Sequence, residues 1–306
     1  MDRRRFLAGG VASAVVAGLR IPRNASVPFL PPTSPRPSGF DLVAVKGGEP
    51  DVMFREGINA LGGIRSFVRK GQKVVVKPNI GWDVSPERAG NTNPKLIREI
   101  VRQCKDAGAR EVTVLDHTCD SWQRCYRTSG IESAAKDAGA VVAPAHSEGY
   151  FHEVAVPGGK SLHTAKEHEA ILDADVFINV PVLKSHGSTR LTVSMKNMMG
   201  NVWDRQYWHA NDLHQCIADF ATYRKPTLNV VDAYAVMKDN GPRGVSTDDV
   251  VLMKAQLLTT DCVTADTAAA KLFGVNPNDV RHIVLASEQK VGRMDLDALS
   301  IKRISL

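Results

Sequence analysis

The sequence has few cysteines and no Cys-x-x-Cys pair. Its five cysteines are irregularly spaced, at Cys104, Cys119, Cys125, Cys216 and Cys262. A ferredoxin-type iron–sulfur cluster needs closely spaced thiolates, so this chain contains no iron–sulfur motif. Cys119 and Cys125 are candidates for a disulfide in an oxidising compartment, whereas buried free thiols are expected at the other three positions.

The sequence also lacks the patterns of nucleic-acid-binding proteins, since no RNP, zinc-finger or helix-turn-helix pattern occurs. The formal net charge is +6, but most of it lies at the start of the chain. Residues 1–26 hold five arginines and one aspartate, a net +4, which leaves +2 for residues 27–306. Without the first segment the sequence has too little net positive charge for a basic stripe, so we expect no nucleic-acid partner.

The first 26 residues, "MDRRRFLAGGVASAVVAGLRIPRNAS", are predicted to be an export signal. Three arginines beginning at Arg3 precede an apolar run from Leu7 to Leu19, which is shorter than the about 20 residues that span a bilayer. The arginine pair followed by x-Phe-Leu resembles a twin-arginine signal, with Asp2 where that motif prefers Ser or Thr. We therefore expect a periplasmic or otherwise exported protein that uses the twin-arginine export machinery. No clean Ala-x-Ala marks a cleavage site, so the segment is either removed or kept as an anchor.

Residues 27–38 are predicted to be a proline-rich linker, and residues 39–306 an α/β domain of one lobe or two. The stretch "PPTSPRPSG" holds four prolines in nine residues, which excludes both helix and central strand. Beyond it, buried-type runs such as "KVVVKPNI", "EVTVLDH" and "DVFINVPVL" alternate with helical stretches. This alternation predicts a mostly parallel sheet with helices on both faces. The region from Gly149 to Ala170 is predicted to be a small β insertion.

Polar side chains follow four of the predicted strands. Binding sites in open α/β sheets form beyond the carboxyl ends of the strands, where loops converge. Each side chain alone has a structural explanation, such as an aspartate that caps the next helix, but together they predict a pocket. The residues are Lys77, Asn79, Asp116, His117, Lys184, His186 and Asp232.

The stretch "NVPVLKSHGSTRLTVSMKNMMGN", from Asn179 to Asn201, concentrates positive charge beside one predicted strand. A turn is expected at Gly187, followed by a helix whose free N–H groups and positive dipole end attract an anion. On that helix, Thr192 and Lys196 would share one face. The pattern predicts a small anionic molecule as ligand, bound by Lys77, Asn79, Lys184, Arg190, Lys196 and Asn197.

Three segments together resemble the bacterial domain-of-unknown-function family three-six-two. They are "VVVKPNIG", "NVPVLKSHGSTRLTVSMKNMMG" and "TTDCVTADTAAAKLFG". Many members of that family carry twin-arginine signals or iron–sulfur modules, but the cysteine motifs of the latter are missing here. The resemblance implies no particular reaction.

A fainter resemblance is to the nickel-pincer lactate racemases. Their active sites use strand-end histidines, a lysine that holds the cofactor and a further histidine on the metal. The order His117, His186, Lys196 and His209 is similar, although "SMKNMMGN" replaces the racemase signature around its lysine. The resemblance implies an acid/base pair of His117 and His186, Lys196 as the anchor for cofactor or substrate, and His209 as a metal ligand.

These observations lead to the hypothesis of an exported enzyme of the isomerase or oxidoreductase class. It would bind a small anion and transfer a proton or hydride, with or without a metal or metal-containing cofactor. The residues expected to be catalytic are His117, His186 and Asp116. The alternative is a periplasmic binding or redox-accessory protein without catalysis, because a binder needs the same anion pocket but no poised acid and base.

Overall fold

The computed structural model describes residues 39–306, all of which lie in one compact unit. The predicted signal and linker, residues 1–38, fall outside the described residues. The strands are β1 Leu42–Lys46, β2 Lys73–Pro78, β3 Glu111–Val114, β4 Val141–Val142, β5 Phe151–Ala155, β6 Thr164–His168, β7 Val176–Val180, β8 Val182–His186, β9 Arg190–Thr192, β10 Leu228–Met237, β11 Val250–Thr259 and β12 Ile301–Ser305. The helices are α1 Pro50–Ala60, α2 Pro94–Asp106, α3 Trp122–Thr128, α4 Ile131–Asp137, α5 Glu169–Leu172, α6 Ser194–Asn197, α7 Arg205–Ala210, α8 Leu213–Tyr223, α9 Cys262–Phe273 and α10 Arg281–Glu288.

Ten of these strands form one mixed sheet, in the order β12-β1-β11-β10-β7-β2-β3-β4, with β8 paired to β10 and β9 paired to β8. The pairs β1–β11, β10–β11 and β8–β9 are antiparallel, and the remaining pairs are parallel. The predicted mostly parallel sheet is therefore confirmed. Because β2, β3 and β7 run in the same direction, the residues that follow them meet at one edge of the sheet.

Apolar side chains alternate across the sheet and build a core on each face. In β2, Val74 and Val76 pack with one core cluster, whereas Val75 packs with the other. Helices α1, α2 and α4 cover the first face, and α8, α9 and α10 cover the second. A strand buried on both faces needs apolar residues in succession, which is why the run "VVV" occurs here.

Capping residues set the bounds of the longer helices. The Asn93 side chain accepts a hydrogen bond from the Lys95 N–H at 2.9 Å, and Pro94 occupies the first position of α2. Asp261 accepts from the N–H groups of the first turn of α9, and Gly274 ends that helix with φ of 91°. No helix of residues 39–306 is long and apolar enough to cross a membrane.

The small insertion predicted between Gly149 and Ala170 is confirmed as the antiparallel hairpin β5–β6, in which Phe151 pairs with His168. One backbone bridge joins Glu167 to Val202, and the Trp203 N–H donates to the Lys166 carbonyl at 3.0 Å. The hairpin thereby holds the segment around Trp203 in place.

The helix predicted after the turn at Gly187 is wrong in its first part. Arg190–Thr192 is the strand β9, which pairs with β8 in the register Lys184 to Thr192. The α-helix begins only at Ser194 and has four residues, followed by a 3-10 turn at Met198–Asn201. Such a short helix offers no extended dipole, so the expected attraction of an anion to its N-terminus does not hold.

Candidate active site

A cavity of about 380 Å³ lies beyond the carboxyl ends of β2, β3 and β8. Nine of the eleven residues predicted for the pocket line it, and Arg190 and Asp232 do not. Besides the nine, Thr192, Cys119, Arg205, Gln206 and Pro242 contribute to its wall. The nine are Lys77, Asn79, Asp116, His117, Lys184, His186, Lys196, Asn197 and His209.

Lys77 and Asp116 form a buried ion pair at the base of the cavity. Lys77 Nζ lies 2.8 Å from Asp116 Oδ1 and donates to Asn197 Oδ1 at 3.0 Å. The other carboxylate oxygen of Asp116 accepts from the Ile80 N–H at 2.6 Å. Burial lowers the pKa of Lys77, and the neighbouring carboxylate of Asp116 opposes that shift. Each charge of this pair is thus committed to the other.

Gly200 makes room for this pair. A Cβ added at Gly200 would overlap Asp116 Oδ1 and lie 2.6 Å from Lys77 Nζ. Its carbonyl also accepts from the His117 N–H at 3.0 Å. Gly200, in the 3-10 turn that follows α6, therefore fixes both the ion pair and the backbone of His117.

Lys184 is a buried cation without a carboxylate partner among residues 39–306. Its Nζ donates to Asn79 Oδ1 at 3.1 Å and to the Gly90 carbonyl at 2.5 Å. Burial lowers its pKa to about 7, and the positive charges of Lys196 and Lys77 act in the same direction. Two neutral acceptors orient this ammonium but leave its charge uncompensated.

Lys196 lies on α6, and its amine has no hydrogen bond or ion pair with any residue that the structure describes. The side chain is half-buried and lines the cavity. Burial lowers its pKa to about 8, with further contributions from Arg205 and Lys77. Its amine is therefore available to a ligand.

The two strand-end histidines present different nitrogen atoms as donor and acceptor. His117 Nδ1 donates to the Val202 carbonyl at 2.9 Å, which leaves Nε2 without a proton in the neutral ring. His186 Nδ1 accepts from the Ser188 N–H at 3.1 Å, which places the proton on Nε2. These tautomers are assigned from the hydrogen-bond network. One ring therefore offers a lone pair and the other an N–H.

Both histidines are neutral at pH 7. Burial, reinforced by Arg205, lowers the pKa of His117 to about 4. Burial, reinforced by Lys196 and Lys184, lowers the pKa of His186 to about 3. The His117 ring also stacks on Trp203 with centroids 4.8 Å apart, which fixes its orientation.

Two wall residues were not predicted to bind the ligand. Arg205, the first residue of α7, donates to the carbonyls of His117 at 2.9 Å and Thr118 at 2.7 Å. No strand-end position marks Arg205 in the sequence, so nothing local reveals it. Thr192 was predicted to share a face with Lys196, and its buried Oγ1 has no partner among the described residues. A buried hydroxyl without a partner at a cavity wall indicates a ligand or water there.

Two predicted residues lie outside the cavity. Arg190 is exposed at the β8–β9 turn with φ of 62°. Asp232 lies within β10, where its Oδ2 accepts from the Asn93 N–H at 2.7 Å, at the start of α2. Burial raises the pKa of Asp232 to about 6. Asp232 therefore has a structural role, because its carboxylate caps the start of α2.

Among residues 39–306 the structure contains neither a cluster of metal ligands nor the expected disulfide. No group of three or more His, Cys, Asp and Glu side chains in residues 39–306 could hold a metal ion. His209 lines the cavity, but residues 39–306 do not place beside it the further ligands that a bare metal needs. Cys119 and Cys125 are both free thiols, and the candidate disulfide between them is not formed.

A larger cleft of about 740 Å³ adjoins the cavity. His117, Arg205 and Gln206 line both spaces. The outer cleft has aromatic walls of Trp203, Tyr207 and Trp208 but none of the three lysines. Positive charge is thus concentrated in the inner cavity.

The family model for Domain of unknown function (DUF362) matches residues 74–271. The chain belongs to this family. The match begins in β2 and ends in α9, and it includes every cavity-lining residue named above. The strands β1 and β12 lie outside it. The DUF362 resemblance predicted from sequence is confirmed.

This DUF362 chain is 26% identical over 241 residues to a thylakoid-associated protein of Synechocystis sp., covering 72% of this chain and 74% of the relative. It is similar to a lactate racemase apoprotein from Thermoanaerobacterium thermosaccharolyticum, with a TM-score of 0.47 and 11% identity over 75% of this chain. A protein from Thermotoga maritima gives a TM-score of 0.46 and 11% identity over 79% of this chain. The DUF362 chain spans 56% and 60% of the lengths of these two structures.

Proposed function

We propose that the chain is an enzyme that binds a small anionic substrate in the inner cavity and transfers a proton to or from one of its carbon atoms. The observation that carries this proposal is the meeting of Lys77, Lys184 and Lys196 with two neutral histidines around one space. Among the described lining residues, Asp116 is the single carboxylate, and it is paired with Lys77. Lys184 and Lys196 therefore attract an anion in a poorly solvated site, where electrostatic interactions are strong.

The size of the cavity supports a small substrate. A volume of about 380 Å³ lies at the lower end of the range for small-molecule sites. The Thr192 hydroxyl and the half-buried Lys196 amine both lack protein partners among residues 39–306 and would contact the ligand. An organic acid or sugar acid fits these donors.

The histidines supply an acid and a base once the anion is bound. Lys196 and Lys184 contribute to the low pKa of His186, and a bound negative charge counteracts them. The substrate thereby raises the pKa of His186 towards neutrality, where proton transfer is most efficient. His117 Nε2 would accept a proton and His186, in its protonated form, would donate one from Nε2, as an isomerisation requires.

An anion-binding protein without catalysis is the second candidate. The low pKa values of His117, about 4, and His186, about 3, favour it, because so weak a base accepts few protons at neutral pH. A binder would use the same lysines and the two rings as neutral hydrogen-bonding groups.

Hydrogen–deuterium exchange at carbon separates the two candidates. A panel of 2-hydroxy acids, 2-oxo acids and sugar acids is incubated with the protein in D₂O, and loss of the Cα–H signal is followed by NMR. Catalysis predicts exchange for at least one acid and a loss of about 100-fold or more in His117→Gln or His186→Gln. Arg190→Gln is the matched control, since this exposed cation lies outside the cavity. Tight binding of an acid without exchange in the parent protein would support the binder and overturn the enzyme.

We further propose that the chain is exported by the twin-arginine machinery. Its first 26 residues carry the arginine pair and a short apolar run. The thylakoid-associated name of one relative supports a membrane-associated or exported location.

A further inference from the structure

We infer that Lys196 is a nucleophile that captures the carbonyl group of a small anionic aldehyde or 2-oxo acid as an imine. This inference rests on the proposed function, because it uses the same cavity and identifies the class of substrate. Among residues that the structure describes, Lys196 is the lining lysine whose amine is not held by the protein.

The other two lysines are occupied. Lys77 Nζ is bound by Asp116 and Asn197, at 2.8 and 3.0 Å. Lys184 Nζ is bound by the Asn79 side chain and the Gly90 carbonyl. A protonated imine nitrogen keeps a single N–H, so imine formation at Lys77 or Lys184 would break at least one of its two hydrogen bonds in a buried site. Lys196 has no such bonds to break.

The charges around Lys196 favour the free amine. Arg205 and Lys77 are positive and destabilise its ammonium form, as does burial, and its pKa falls to about 8. At pH 7.4 about one amine in five is then unprotonated, against about one in a thousand for an ordinary lysine. Lowering a lysine pKa by burial and by adjacent cations is an established way to make it nucleophilic.

The proposed step balances without an oxidant or reductant. The Lys196 Nζ lone pair attacks the carbonyl carbon and a C–N bond forms, while the carbonyl oxygen takes one proton from the attacking nitrogen and one from solvent and leaves as water. The neutral His186 ring lines the same cavity and can donate a hydrogen bond from Nε2–H to that oxygen. The product is a protonated imine, which makes the neighbouring C–H acidic. His117 Nε2 can then remove that proton, while the substrate carboxylate stays on Lys184. Hydrolysis of the imine restores the amine.

Reductive trapping tests this inference. Full-length protein is incubated with glyoxylate and sodium cyanoborohydride, which reduces imines in place, and the carboxymethylated lysines are located by peptide mass spectrometry. We expect labelling of Lys196 at least about tenfold faster than that of the exposed Lys271, with a rate that rises with pH through about 8. Excess oxalate, an anion without a reactive carbonyl, should protect Lys196 and leave Lys271 unaffected.

A second variant separates this inference from the proposed function. Lys196→Arg keeps the positive charge but cannot form an imine, so it should bind oxalate in calorimetry and lose the specific label. If the parent binds oxalate but Lys196 labels no faster than Lys271, the imine is wrong and the anion pocket stands. If the parent binds neither oxalate nor glyoxylate, both proposals are overturned.

Discussion

Lys184 is the residue whose ionisation controls anion binding most directly. Its hydrogen-bond acceptors, Asn79 Oδ1 and the Gly90 carbonyl, are neutral, so burial dominates and its pKa lies at about 7. A bound anion favours the ammonium form and raises this pKa. Anion binding therefore takes up a proton whenever the pH exceeds the pKa that Lys184 has in the free protein. Below about pH 7 the lysine is already charged, and no proton is needed.

Affinity for a small carboxylate should consequently fall as the pH rises above about 7. The expected loss is up to about tenfold per pH unit for each proton taken up. Lys184→Met should weaken binding by about 10- to 100-fold at pH 6.5, the scale of one charged hydrogen bond. Calorimetry in two buffers of different ionisation enthalpy measures both affinity and proton uptake. Arg190→Met serves as control, and a pH-independent affinity in the parent protein would contradict the assignment.

At the scale of elements, strand ends could be predicted from sequence because parallel strands buried on both faces need unbroken apolar runs. The first polar residues after such runs, Lys77 and Asp116, therefore stood out. The hairpin β8–β9 could not be predicted, because "RLTVSMKNMM" also has apolar residues at helical spacing. Its first three residues form a strand only because they pair with β8 in the folded chain, which local sequence does not reveal.

The cavity-wall residues on short or irregular elements could not be predicted from the sequence either. Arg205 reaches the cavity from α7, a helix of six residues that follows a loop. Its role depends on the carbonyls of His117 and Thr118, which lie more than 80 positions earlier in the chain. Contacts between residues so far apart in the sequence depend on the topology of the fold, and the local hydrophobic pattern does not predict them.

Gly200 lies in the 3-10 turn Met198–Asn201, where close packing leaves no room for a side chain. Gly200→Ala should destabilise the fold by about 1 to 3 kcal/mol, because the added Cβ overlaps Asp116 and crowds Lys77. It should also weaken anion binding, since both side chains line the cavity. Urea unfolding provides the first measurement and calorimetry the second. Gly187→Ala is the control, because a Cβ there meets nothing within 4 Å. Equal stability of the two variants would show that the Lys77–Asp116 pair does not depend on close packing at Gly200.

For the whole molecule, the distribution of charge separates the pocket from the rest of the chain. Residues 27–306 carry a formal net charge of only +2, so the positive field of the cavity comes from its own lysines and not from a basic surface. Added salt should screen such buried charges less than exposed ones. The other +4 of the formal net charge lies in residues 1–26, outside the described residues. We interpret the arginines of that segment as part of a targeting signal.

The interpretation of that segment predicts that Arg3→Lys combined with Arg4→Lys stops export. Lysine keeps the charge but not the planar guanidinium, and a twin-arginine signal is recognised by a receptor rather than by charge alone. The double variant should therefore accumulate in the cytoplasm as a folded protein, whereas Arg20→Lys, beyond the pair and the apolar run, should be exported like the parent. Cell fractionation followed by immunoblotting measures both. Retention of the double variant together with its undiminished anion binding in calorimetry would locate the defect in targeting, because the lining residues that the structure describes lie between 77 and 242. Export of the double variant at the parental level would exclude the twin-arginine route.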